Sequence, residues 1–393
     1  MTLTTLSLAL VLPLAPSDLF VSSYNSDRVL RFDASSGASL PGPLAAPGAQ
    51  SVRYGPDGHL YVCAEKIDQV LRYDGVTGAA LGPFVFDDSN TPADETGGLD
   101  GPTAAVFGAD GDLYVASFET DQVLRYDGTT GAFVGVFVAA GAGGLNGPDA
   151  GMTFHPDGTL LVPSFWSNRV LRFDPTSGAF LSEFAGPAIP QLLSRPRDIR
   201  FRSDGVAYVS GWGSNRINRY DVDGTYLGAF ALTTRPTGLL LPPTTGTVLV
   251  TSDQTNDVKA FDAAGQTLPP LVAAGGNGIN GGTFLELWPD PYVRLSRLSP
   301  GSAGAVNSLD VRGLTPSGAA FLLVGNATAS FTLGACTDPI GVAAPIVLPL
   351  LVDAAGTSTI AGALPASVGG ATLVLQVVEP GNCRMSNLVV QGV

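Results

Sequence analysis

Residues 113–127 read LYVASFETDQVLRYD, and the same fifteen-residue phrase returns five more times without a gap. The other copies are LFVSSYNSDRVLRFD (19–33), LYVCAEKIDQVLRYD (60–74), LLVPSFWSNRVLRFD (160–174), AYVSGWGSNRINRYD (207–221) and VLVTSDQTNDVKAFD (248–262). Their closing aspartates, Asp33, Asp74, Asp127, Asp174, Asp221 and Asp262, stand 41, 53, 47, 47 and 41 residues apart. That period suits the blades of a β-propeller and is longer than most solenoid repeats.

Each copy predicts two strands joined by a polar loop, then a glycine turn (Gly37, Gly78, Gly131, Gly178, Gly224, Gly265) and an outer strand such as AFVGVFV. A short strand precedes five of the copies: SVRYG, TAAVFG, GMTFHP, DIRFR and TGLLLP. The first copy lacks one, but after the sixth comes NGINGGTFLELWPD, which supplies a strand over Gly282 to Leu287. Pairing that strand with Leu19 to Ser22 closes the ring and leaves no open sheet edge. The expected fold is all-β: a six-bladed propeller over 18–292, followed by a small β-sandwich over 293–393, where strands such as AAFLLVG and ATLVLQVV alternate with Gly/Pro turns.

Glycine and proline together make up 80 of 393 residues, yet 45% of the chain is hydrophobic, so the composition is that of a turn-rich packed protein and not of a disordered one. A net charge of -14 disfavours nucleic acid and anionic membrane surfaces as partners. No segment has the length and apolarity of a membrane span. The apolar run Leu6 to Ala15 reads as a signal-peptide core, with cleavage after Ser17 as the expectation and a buried first strand as the alternative. Export would make the protein secreted, periplasmic or displayed on the cell surface. Cys336 and Cys383 can pair across a loop of about 47 residues, which stabilises by roughly 3 to 4 kcal/mol. Cys63, inside a strand, reads as a small buried hydrophobe.

The unit P-x-G-L-x-F-x-x-D-G-x-L-Y-V-A-S…N-R-V-L-R-F-D resembles NHL-repeat propellers, bacterial extracellular ones in particular, over about residues 18 to 290. The resemblance implies the fold and leaves the activity open, because NHL-like propellers include lyases, lactonases, receptor sensor domains and interaction modules. Where the commonest NHL pattern places an aspartate, this chain has Ser23, Ala64, Ser117, Ser164, Gly211 and Ser252.

Three residues past the last valine of each second strand stand Tyr24, Glu65, Phe118, Phe165, Trp212 and Asp253, with Trp166 beside Phe165. Repeat symmetry places them in a ring on one face. Aromatic rings flanked by carboxylates suit sugars and cationic groups, so a carbohydrate or peptide ligand is expected there. The other reading is that the rings cap the hydrophobic seams between blades. Asp27, Asp68, Asp121, Asn168, Asn215 and Asn256 recur three residues later and read as turn residues. Arg31, Arg72, Arg125, Arg172 and Arg219 also recur, and inter-blade pairing is expected of them.

The longest spacing contains DDSNTPADETGGLDG, whose Asp87, Asp88, Asp94, Glu95 and Asp100 offer oxygens for calcium or form a solvated loop. Asp100, Asn146, Asp149 and Asp198, with Asn280, form a set of inter-blade acids and amides that could hold Ca2+ or another divalent metal near the channel mouth. Gluconolactonase-like propellers hold such a metal with Glu, Asn and Asp, a partial match. Lyase-type propellers use channel histidines, whereas His59 and His155 sit in Asp-Gly turns expected at the surface of the opposite face. The leading expectation is a non-enzymatic extracellular binding or scaffolding protein that needs no cofactor. The alternatives are a metal-dependent hydrolase or lyase of gluconolactonase-like type and a purely structural surface module.

Overall fold

The computed structural model describes residues 18–288, apart from 76, 89–93, 189–191, 203, 243–245 and 276, and beyond them little more than the strands. The N-terminal apolar run, Cys336 and Cys383 lie outside the described residues. Six four-stranded antiparallel sheets form the propeller. Within each, the repeated phrase supplies the second and third strands, as in blade 3, where Leu113–Ser117 pairs with Gln122–Tyr126. The inner strands are Ala49–Tyr54, Pro102–Phe107, Thr153–Phe154, Pro196–Phe201 and Pro236–Leu240 in blades 2 to 6. Blade 1 takes its inner strand from the end of the repeat array: Gly282–Trp288 pairs with Asp18–Ser23, with Leu19 opposite Leu287 and Val21 opposite Leu285. The ring closes as the sequence predicts.

The core sits between the blades. Side chains alternate across a strand, so Leu60 and Val62 join the seam with blade 1 while Tyr61 and Cys63 join the seam with blade 3. This two-sided burial explains why LYVCA is apolar throughout, not alternating. The closing seam joins Leu19, Val21 and Phe32 of blade 1 and Leu285 of its inner strand to Leu240, Leu249 and Val258 of blade 6. Burial pushes the Cys63 thiol up to about 12, which removes it as a nucleophile at neutral pH. Arg31, Arg125 and Arg172 pair with carboxylates of their own blades where the sequence predicts inter-blade pairing, and Arg172 also donates to the Val222 carbonyl of the next blade at 3.5 Å. Arg125 meets Asp112 at 2.6 Å and Asp110 at 2.8 Å, and Arg172 meets Asp157 at 3.1 Å. The partners of Arg125 and Arg172 stand in the turn that leads into the adjacent strand.

After the propeller, Arg294–Leu295, Val306–Arg312 and Ser358–Ala363 form one antiparallel sheet. A second sheet centres on Ala320–Gly325 and Thr372–Glu379. These are the sheets of the small β-sandwich, and Leu322, Leu323, Leu375 and Val377 are buried in it.

The aspartates that close the repeats fold back on their own turns. Asp127 accepts the Thr130 amide and hydroxyl at 2.8 Å each, and Asp33, Asp174 and Asp221 make equivalent bonds. These hydrogen bonds hold all four carboxyls below the usual carboxylate range. The folded chain therefore binds fewer protons in acid than the unfolded chain does. The stability they contribute is complete above the ordinary carboxylate pKa near 4 and is lost as pH falls below it. Thermal midpoints should be level near neutrality and decline below about pH 4, with little dependence on salt because hydrogen bonds dominate the shift. A midpoint that stays level down to pH 2.5 would refute this account.

Candidate functional site

One face of the disc is organised by a device repeated six times. Asp27, Asp68, Asp121, Asn168, Asn215 and Asn256 all adopt left-handed backbone, with φ between 53° and 61°. Each side-chain oxygen accepts the amide of a residue just before an inner strand: Gly48, Gly101, Gly147, Arg195, Arg235 and Gly281 respectively, at 2.7–2.9 Å. Those six residues are left-handed as well. In five blades the carbonyl of this residue accepts the amide of the ring position: Tyr24 from Gly281, Glu65 from Gly48, Phe118 from Gly101, Phe165 from Gly147 and Trp212 from Arg195. The turn role expected of the Asx residues is thus also the device that fixes the ring.

The ring divides into two arcs. Phe118, Phe165, Trp166 and Trp212 form an aromatic arc over blades 3 to 5, with centroids 4.8 Å apart for Phe165 and Trp166 and 5.8 Å for Phe165 and Trp212. A Cβ on Gly147 would lie 2.8 Å from Trp166 and 3.0 Å from Phe118, so a larger residue there would displace the arc. Blades 6, 1 and 2 carry the polar arc. Trp212 Nε1 donates to Asp253 Oδ2 at 2.7 Å, and the Tyr24 hydroxyl donates to Glu65 Oε1 at 3.2 Å. Gln50 donates to the other Glu65 oxygen. Burial raises the Glu65 carboxyl despite these bonds, and burial together with the Glu65 charge pushes the Tyr24 hydroxyl up to about 12.

The second residue after each left-handed position is Gln50, Thr103, Asp149, Arg197, Thr237 or Thr283, of which Gln50, Arg197 and Thr283 line one cavity. The threonines tie neighbouring blades together, Thr103 donating to the Pro148 carbonyl, Thr237 to that of Gly282 and Thr283 to that of Ala49, at 2.7–2.8 Å. Arg197 of blade 5 holds buried Asp149 through two bonds, 2.9 and 3.1 Å, and donates to Gln50 of the opposite blade at 3.2 Å. Burial works against its charge, but Asp149, Asp253 and Glu65 outweigh that and raise its pKa further. Below it, Arg53 and Arg200, again from opposite blades, each lie 4.6 Å from the centre of the buried Phe284 ring. Side chains therefore fill the channel beneath the mouth.

Above this plug lies a cavity of about 270 Å³ lined by Tyr24, Asn25, Gln50, Arg197, Asp253, Gly281 and Thr283. That is just under the roughly 300 Å³ at which small-molecule clefts begin, enough for one sugar ring or side chain. Asp253 Oδ1 is buried there without a hydrogen-bond partner. A buried carboxylate oxygen left unpaired is costly unless a donor arrives.

Asp149 and Asp198 are both buried, the first in the Arg197 pair and the second bound to Arg200 at 3.2 Å and to the Leu239 amide at 2.8 Å. Asn146 and Asp100 join the local hairpins through their backbones, each amide donating to a serine hydroxyl oxygen. Among the described residues the one acid cluster with metal-like spacing is exposed Asp87, Asp88 and Glu95, while Asp94 is engaged by its own turn at Thr96 and Gly98. His155 lies in the predicted turn but is buried, not surface-exposed. Its Nε2 lies 2.7 Å from the Val222 carbonyl and its ring packs on Phe201. Sequence reasoning missed Gln50, Arg195, Arg197 and Arg235. Aligning the connections on Gly-Pro and Arg-Pro just before the inner strands would have found the three arginines, whereas Gln50 follows Gly48-Ala49 and lacks that mark.

The molecule is a six-bladed β-propeller whose loop face carries a ring of aromatic and polar side chains. No protein-family model matches the sequence, and no curated protein matches it. Solved structures do. A protein of unknown function from Bacteroides caccae is 13% identical, with 69% of this chain and 98% of that one covered and a TM-score of 0.53. A chain of the nidogen/laminin complex matches at 13% identity over 69% of this chain and 97% of its own, TM-score 0.53. A streptogramin B lyase matches at 15% over 70% and 85%, TM-score 0.49. At such identities the first two likenesses establish the fold and nothing finer.

Proposed function

We propose that this chain is an extracellular NHL-like propeller that binds a glycan or peptide on its loop face without transforming it. The observation that carries the reading is Asp253: one oxygen is fixed by Trp212 and the other is an unpaired acceptor at the cavity wall. Tyr24, Asn25 and Gln50 add polar groups around it, and the aromatic arc adjoins it, the mixture a sugar or a short peptide uses. The gluconolactonase-like alternative draws on Asp100, Asn146, Asp149 and Asp198, two of which are already held by arginines. Metal analysis after dialysis against calcium separates the two, since a stoichiometric, tightly held divalent ion would favour the enzyme.

Screening the full chain on glycan and peptide arrays should yield hits that Asp253→Asn weakens by tenfold or more, as loss of a charged acceptor is worth about 1.5–3 kcal/mol. Hits indifferent to this substitution and to Trp212→Ala would place binding elsewhere and sink the reading.

A further inference from the structure

The left-handed position before each inner strand is glycine in four blades and arginine in two, Arg195 with φ 51° and Arg235 with φ 39°. Glycine adopts this backbone freely, whereas a side chain there is strained, so the repeat itself gives no reason for a long cation. Both arginines reach one ring. Their Cζ atoms lie 5.1 and 4.5 Å from the centre of Trp212, and Arg195 also lies 5.0 Å from that of Trp166. A guanidinium resting on an aromatic face keeps its N–H edge for planar acceptors. Among the described residues neither side chain has a carboxylate or hydrogen-bond partner, in a chain whose net charge is -14. Two strained, unpaired cations gathered on one indole make a local anion site.

We infer that the Trp212 platform binds the carboxylate of an acidic sugar, a uronic acid unit of a glycan, through Arg195 and Arg235, while the sugar's hydroxyls donate to Asp253. This rests on the loop face being a binding site. Asp253 decides for a sugar over an acidic peptide: each uronic acid unit carries hydroxyl donors for its buried acceptor beside the carboxylate that the arginines take, and the side chains of an aspartate-rich peptide carry none. Half-exposed Trp166 offers a further ring face for stacking.

Calorimetric titration of the full chain with trigalacturonate and with uncharged galactotriose tests the inference. Trigalacturonate should bind at least tenfold more tightly, and its advantage should shrink with added salt. The variant Arg195→Gly/Arg235→Gly carries what the other blades carry, so it should fold with an undiminished thermal midpoint and bind trigalacturonate at least tenfold more weakly. Equal affinity for the two sugars, or unchanged affinity in the glycine variant, overturns the inference and leaves the loop-face reading standing. An aspartate-rich peptide bound more tightly than trigalacturonate overturns the sugar class. Absence of any array ligand sensitive to Asp253→Asn removes both.

Discussion

Ending the chain at Gly281 should abolish cooperative unfolding of the propeller and leave an aggregating product, whereas ending it at Leu295 should preserve the propeller's melt. The shorter product lacks Gly282–Trp288, the inner strand of blade 1. Burying Phe284 and Leu285, both fully enclosed, is worth about 3–6 kcal/mol together. The lost ladder bonds add about 1 kcal/mol each, against a total domain stability of about 5–15 kcal/mol. Removal also exposes Asp18–Ser23 as an apolar sheet edge, a template for aggregation. A cooperative melt of the shorter chain near that of the longer one would show that the ring does not depend on this closure.

The second large effect is expected at the plug. Replacing Arg197 with leucine leaves Asp149 as a buried charge with its bidentate partner gone, at a cost of about 3–5 kcal/mol. For a domain of this size that lowers the thermal midpoint by roughly 10 °C. Adding Asp149→Leu should recover most of the loss, because an apolar pair avoids burying either charge. Calorimetric melts of the two single variants and the double variant measure the coupling. Additive losses would mean that the two side chains do not act as a pair.

The blades were legible because every copy of the phrase repeats the same alternation and turn chemistry. The closing strand showed itself because NGINGGTFLELWPD resembles an earlier inner strand. The ring positions followed from the same gap-free register. The cations were hidden because they sit in connections of unequal length, where a shared proline after Gly147 and Arg195 is the one mark of the register that the Asx bonds to Asp121 and Asn168 fix. The Arg197 bridge was equally hidden, since Gln50 lies 147 residues away and meets it only across the closed ring. His155 was misplaced at the surface because an Asp-Gly turn specifies backbone and not what packs on it; here Phe184 and Phe201 cover the ring.

The most direct test of the loop-face site is amide hydrogen exchange of the full chain with and without saturating trigalacturonate. The structure predicts added protection at the Asx-held connections 194–197 and 235–237 and at the loops carrying Tyr24, Trp212 and Asp253, which share one face. Protection confined to the Asp33 and Asp127 turns on the other face, or to the C-terminal sheets, would contradict it.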